Sequence, residues 1–386
     1  MENITDAMQA QPACRVDLPL PPNADGTSHV VSTFRYGNPG ARPKVYMQAG
    51  LHADEFPGML ALKCLRDMLD DAAARGRIVG EIVLVPQANP IGLSQHGDGL
   101  LLGRYDGETG SNFNRDYPDL AQLTGDALAG RLGTDAAANV ATIRDEMRKA
   151  LDGWYTPTAV GALRRTLLTL AHDADFVFDL HADNDALKHM YVGTKLWPDA
   201  LDIAAEVDVR AVLLADVSGG HPFDEACCGP WWALGERFPD AAIPSACLAT
   251  TLELGSNNDV DLRDAQDQAA ALYRLLERRG IVEGPTDGEP PRRRCDATSL
   301  TAMEQVKSPV TGLVAYRLRL GDRVRAGDVV ATIIDPLGES VDVEATTDGL
   351  LFARHNQTYA WPGKIIGKIA GETPIAARLE GPLLSD

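Results

Sequence analysis

Several things are scarce in this chain of 386 residues. No apolar run approaches the roughly 18 residues needed to span a bilayer, so no membrane association is expected. Positive charge is short: 36 Lys and Arg stand against 55 Asp and Glu, a formal net charge of -19. That balance disfavours a surface built to neutralise the phosphates of nucleic acid or anionic lipid. The one dense basic run, Arg292 to Arg294, sits among Pro, Gly and Asp and reads as linker. The six cysteines (Cys14, Cys64, Cys227, Cys228, Cys247, Cys295) show no CxxC spacing. Nothing at the N-terminus resembles a charged segment followed by an apolar core, so a reducing cytoplasm is the expected compartment.

What is present is enough apolar residue, 45%, to bury a large core. The length exceeds what one core usually organises, so two unequal domains are expected. From about residue 28 to 280, short runs of Val, Ile and Leu alternate with longer amphipathic stretches, an α/β signature. Strands are predicted at Lys44 to Gln48, Glu81 to Val85, Asp175 to Leu180, Val212 to Ala215 and Cys247 to Leu254. Helices are predicted at Pro57 to Arg75, Asp135 to Leu151, Ala159 to Asp173, Pro198 to Val207 and Val260 to Arg279. In such sheets the loops after the strands converge on the ligand site.

Glu283 to Asp296 holds Pro285, Gly288, Pro290 and Pro291 among charges and reads as an interdomain linker. The expected division is a domain over 1–282, a linker over 283–302 and a β-rich domain over 303–386. The last unit carries a weak repeat: Ser308-Pro-Val-Thr-Gly312 followed by Gly327 corresponds to Ala345-Thr-Thr-Asp-Gly349 followed by Gly363. Two such halves resemble the flattened barrel of biotinyl and lipoyl carriers. Carriers need a modifiable lysine between the halves, yet none lies between Lys307 and Lys364. A structural or assembly role is expected instead.

His52 and Glu55 follow a predicted strand at the start of a helix, where a three-residue spacing can aim both side chains at one point. His181 follows the apolar strand Phe176-Val-Phe-Asp-Leu180. Imidazole nitrogen and carboxylate oxygen suit zinc, and a catalytic zinc site takes three protein ligands plus an open position. Each residue alone is weak, since Glu is common in first helical turns for dipole reasons and a lone His after a strand is commonly structural. Glu253 ends an apolar strand, where a carboxylate is costly without a partner. It is either a salt-bridged strand end or the base that activates a water. The Gly-rich stretch Arg104 to Pro118 brings together two arginines and two asparagines, and guanidinium forks suit carboxylates. A solvated surface turn is its other reading.

In this order, Gly50-Leu-His52-Ala-Asp-Glu55-Phe-Pro-Gly58, Asn112-Phe-Asn114-Arg115-Asp-Tyr-Pro118, Asp179-Leu-His181 and Leu252-Glu253-Leu-Gly255 resemble the succinylglutamate desuccinylase/aspartoacylase family of zinc carboxypeptidase-like metallohydrolases. The resemblance covers roughly residues 25 to 280. It implies a mixed central sheet flanked by helices, and one Zn(2+) per subunit on His52, Glu55 and His181. Glu253 is implied as general base and acid, and Asn114 and Arg115 as substrate-carboxylate ligands, with Asn112 beside them. Arg104 matches the family's additional arginine, to bind substrate or polarise the scissile carbonyl. The C-terminal β unit also resembles that of the family, where it packs near the active-site mouth. The expected activity is hydrolysis of an amide in a small N-acyl amino acid or related carboxylate-bearing compound. Partners beyond that small molecule are not expected, save for a homo-oligomer, which stays open. The alternatives are a carboxypeptidase or amidase on small peptides, and a non-catalytic zinc or ligand-binding protein. His96, in Gln95-His-Gly-Asp-Gly99, either reaches the site or lies in a polar loop, and the Gly219 to Cys228 stretch with His221 is either part of the substrate wall or a structural loop.

Overall fold

A computed structural model describes residues 13–22, 26–286, 288–381 and 383–384. The reading of the extreme N-terminus, residues 1–12, lies outside the described residues, as does position 287 of the linker stretch. The protein is a mixed α/β fold with a β-rich C-terminal region.

Nine strands form the large sheet: β1 (Cys14–Pro19), β2 (Val30–Tyr36), β3 (Lys44–Ala49), β4 (Glu81–Val85), β5 (Phe176–Asp183), β6 (His189–Val192), β7 (Ala211–Leu214), β8 (Leu248–Ser256) and β9 (Ala297–Ser299). Their spatial order is β1-β2-β4-β3-β5-β8-β6-β7-β9. The central strands β4, β3, β5 and β8 run parallel, whereas β6 runs antiparallel to β8. β3 and β4 are buried along their whole length, as expected for strands covered on both faces. Helix α1 (Pro57–Ala74) starts on a proline that fits its first turn and buries Leu62, Leu65 and Leu69 in the core.

The predicted central strands and long helices are present, and their ends shift by a few residues. Others were not anticipated. β6 is only four residues long, too short for a period. The helix Phe223–Arg237 is apolar nearly all round and contains Gly229 and Pro230, which masks a 3.6-residue pattern. The predicted helix Pro198 to Val207 is a 3-10 turn, Thr194–Ala200, running into the short helix Leu201–Glu206. β9 lies within the stretch read as linker and pairs in parallel with β7.

The β-rich region folds as two facing sheets around Val306, Val314, Val330, Ile333, Leu351, Ile366 and Ile369. Its repeat is physically real. The Gly327 N–H donates to Ala345 O, and the Gly363 N–H donates to Ser308 O, both at 2.8 Å. Each half therefore anchors its glycine on the first residue of the other half's motif. Both glycines have left-handed backbone, with φ of 92° and 88°, which favours glycine. This region meets the rest of the fold through the two-residue strand Asp185–Ala186, which pairs with Gly349–Arg354.

Candidate metal centre and its cavity

β3 ends at Ala49, and the left-handed φ of 69° at Gly50 turns the chain into the His52–Glu55 loop. Three contacts fix that loop: the Ala53 N–H donates to Gly103 O at 2.9 Å, the Phe56 N–H to Asn257 O at 3.0 Å, and the Asn89 side chain to Leu51 O at 2.9 Å. His181 lies within β5 rather than after it, paired in register with Glu253 on β8. Sheet and loop thus bring the four residues together.

His52, Glu55 and His181 are all buried, and one ligand-type atom from each lies within 4.8 Å of the others. His52 Nδ1 is 3.0 Å from Glu55 Oε1, and His181 Nδ1 is 2.8 Å from Glu55 Oε2. Behind the cluster, each imidazole's far nitrogen has its own partner. His52 Nε2 lies 2.8 Å from Asn112 Oδ1, and His181 Nε2 lies 3.0 Å from Asp179 Oδ2. The Gln48 amide holds the other Asp179 oxygen at 2.9 Å, and the Tyr46 hydroxyl donates to Gln48 at 2.8 Å. Outer partners of this kind fix the orientation of metal-ligating histidines.

The electrostatics are those of a cation site. Burial alone would push the Glu55 carboxyl up, but His52 and His181 hold it well below the ordinary carboxylate range. Burial would lower the pKa of His181, but Asp179 and Glu55 raise it well above the usual imidazole value. Burial and the Arg104 guanidinium push His52 down to about 4, leaving it a neutral imidazole. Two nitrogens and a carboxylate with oriented second partners suit a divalent zinc-like ion.

The cluster opens into a cavity of about 690 Å³, within the range of small-molecule sites. Glu253 lines it, and its Oε2 is buried without a hydrogen-bond partner among the described residues. Burial, reinforced by Glu55, pushes its carboxyl up to about 8. Arg104, Asn114 and Arg115 line the cavity too. Arg104 Nη1 donates to Glu55 Oε1 at 3.0 Å. Asn114 Oδ1 accepts from the Phe223 N–H at 2.9 Å. Arg115 donates to Asn114 O at 2.8 Å and packs on Gly220, where an added Cβ would sit 2.4 Å from its Cδ.

One expectation changes. Asn112, read as a substrate ligand, does not line the cavity. It is buried behind His52, with its Oδ1 also accepting from the Asn114 N–H at 2.9 Å. His96 sits exposed on a short hairpin and His221 on an exposed turn with φ of 50°, and neither lines the cavity. The sequence reading missed Asp179 and Gln48 as working groups. Both have no solvent exposure within apolar strands, and that placement is itself a signal, since buried polar groups need partners. It also missed Asp183, Tyr191 and Lys368, which line the cavity.

Fold and cluster together define an α/β protein with a His/Glu/His site able to hold a metal. The pattern of the succinylglutamate desuccinylase/aspartoacylase catalytic domain matches residues 41–151. Among solved structures, a succinylglutamate desuccinylase/aspartoacylase family protein from Shewanella amazonensis SB2B is 26% identical, covering 92% of this chain and 98% of that one, with a TM-score of 0.79. A succinylglutamate desuccinylase/aspartoacylase from Shewanella frigidimarina NCIMB 400 is 25% identical over 93% and 97%, with a TM-score of 0.80. The product-bound ectoine utilization protein EutE (DoeB) from Ruegeria pomeroyi, 18% identical over 94% and 95% with a TM-score of 0.66, shares the fold. Among curated proteins none matches this chain. The resemblance to the succinylglutamate desuccinylase/aspartoacylase family is thus shown in sequence and in fold. No helix among the described residues is long and apolar enough to cross a membrane.

Proposed function

We propose that this protein is a zinc-dependent deacylase that hydrolyses the amide bond of a small N-acyl amino acid or related carboxylate-bearing amide. The observation that carries the reading is the shared cavity: the His52/Glu55/His181 cluster, the unpartnered carboxylate oxygen of Glu253 and the guanidinium of Arg115 all line it. One zinc ion per subunit, on His52 Nδ1, His181 Nδ1 and Glu55, would supply a Lewis acid and a water of lowered pKa. The chain's own groups do the rest. Glu253, ionised once a cation offsets the Glu55 charge beside it, would take a proton from the attacking water and return it to the leaving nitrogen. Arg115, seated on Gly220 and backed by Asn114, holds the substrate carboxylate so that the amide meets the cluster. Arg104 turns from Glu55 toward the oxygen that gains charge. Water adds across the C–N bond, its hydroxyl going to the acyl carbon and its proton to the amine.

The division into 1–282, 283–302 and 303–386 is part of this proposal, the last unit serving as cavity wall. All six thiols are free, consistent with a reducing cytoplasm, which cell fractionation would check. The central test is a screen of N-formyl, N-acetyl and N-succinyl amino acids, with a dipeptide alongside, against zinc-loaded protein. Amine release from an N-acyl amino acid is expected. Cleavage of the dipeptide alone would favour a peptidase, and no turnover with no bound zinc would favour a binding protein.

A further inference from the structure

The β-rich region reaches the cavity through strand Ile365–Gly371, which carries Lys368, and strand Gly349–Arg354 beside it. Lys368 is ion-paired with Asp183, the last residue of β5 and two positions beyond His181. One rung further, Arg354 Nη2 pairs with Asp185 at 2.7 Å, and the Leu187 N–H donates to Phe352 O at 2.9 Å. Residues 183–187, from the last residue of the metal-type strand onward, are therefore the strip on which the β-rich region docks. Lys368 and Arg354 both line the cavity. An ammonium carries three donors, and the one hydrogen bond of Lys368 among the described residues goes to Asp183. Glu253, with its unpartnered oxygen, and Tyr191 lie within its electrostatic reach. A purely structural ion pair needs neither a cavity face nor unspent donors.

We propose that Lys368 is a specificity-determining residue: held on Asp183 by the docked β-rich region, it closes the cavity beside Glu253 and sets which acyl groups fit there. This rests on the deacylase reading. Shortening the side chain opens space and removes a donor together, so bulkier acyl groups gain relative to small ones.

The test compares the full-length zinc-loaded wild type with Lys368→Ala, Lys368→Met, which keeps the stem without the charge, and Arg323→Ala. Arg323 is an exposed cation of the same region, with its side chain 75% exposed. Rates are taken over N-formyl, N-acetyl and longer N-acyl forms of one amino acid, and hydrogen exchange of residues 183–187 is followed in parallel. In Lys368→Ala, with zinc retained, the kcat/KM ratio of bulky to small acyl groups is expected to rise about tenfold, the scale of one methylene in a pocket. Arg323→Ala should leave that ratio unchanged. Ratios within about twofold of wild type in both Lys368 variants overturn the proposal. If Lys368→Ala does not fold, Lys368→Ser, which also shortens the side chain, takes its place, and an unchanged ratio there overturns the proposal. If the wild type hydrolyses no N-acyl amino acid, the deacylase reading fails by itself. The wall is then judged by exchange at 183–187, which must quicken in the Lys368 variants with zinc still bound; unchanged exchange overturns it.

Discussion

Glu55 spends both carboxylate oxygens on the cluster, and each imidazole is steered from behind by a second residue. Metal affinity and turnover should therefore separate by mutation. Asp179→Ala frees His181 to rotate and leaves Gln48 without its acceptor, so zinc affinity is expected to fall about 10- to 100-fold; competition with a chromophoric chelator measures it. Glu253→Gln replaces none of the three ligands and should bind zinc as the parent does while losing about 10²- to 10⁴-fold in kcat. Zinc content by mass spectrometry beside steady-state rates distinguishes the two. The same scale holds a clean pH experiment far from the cluster. Burial would raise the Asp173 carboxyl, but Lys44, then His172 and Arg42, hold it below its ordinary value. Its stabilisation is present above the unfolded carboxylate value near 4 and is lost as pH falls through the folded one. Asp173→Asn should thus cost about 1 kcal/mol at pH 7, and the gap to wild type should close toward pH 3 in urea melts. An equal gap at both values would contradict the sign.

At the scale of elements, the site depends on close backbone approaches. An added Cβ at Gly103 would lie 2.5 Å from the Ala53 Cβ and 2.7 Å from the Asp54 nitrogen, so the Arg104 loop rests directly on the His52–Glu55 loop. Gly103→Val must push them apart. A cost of about 1–3 kcal/mol is expected, together with weaker zinc binding, read by thermal melts with and without the metal. A variant melting with the parent would mean that the two loops move independently. Close packing also decided which elements could be read from the sequence. β3, β4, β5 and β8 were legible because strands covered on both faces are apolar runs, and the residues at their carboxyl ends were the ones to inspect. The helix Phe223–Arg237 was hidden by its largely apolar middle, Ala226 to Leu234, and by Pro230. β6 and β9 are short, and their partners are distant in sequence. Asn112 was legible as a polar group in the right loop. Which way it faced depended on Arg164, whose Nη2 donates to Asn112 O at 2.8 Å from 52 residues away, and no local pattern encodes that.

For the whole molecule, the cluster joins parts of the chain that are otherwise far apart. Its residues come from the loop after β3 and from β5, and Glu253 comes from β8. In sequence His52 and His181 are more than a hundred residues apart, yet their rings lie 4.9 Å from each other. An ion that binds only where these segments are assembled has little affinity for the unfolded chain, so it stabilises the fold by mass action. At a free zinc concentration of about a thousand times Kd this amounts to about 4 kcal/mol, or about 5 °C in Tm for a chain of this length. Chelation should lower Tm by that much and zinc should restore it. The shift is expected to vanish in His52→Ala and His181→Ala but to persist in Glu253→Gln, which removes the base and leaves the ligands. Because the β-rich region docks on residues 183–187, just beyond His181, the metal-linked gain in protection should extend into strand Gly349–Arg354. Hydrogen exchange with and without zinc would show it. Protection confined to the loop after β3 would mean that the C-terminal wall does not sense the metal.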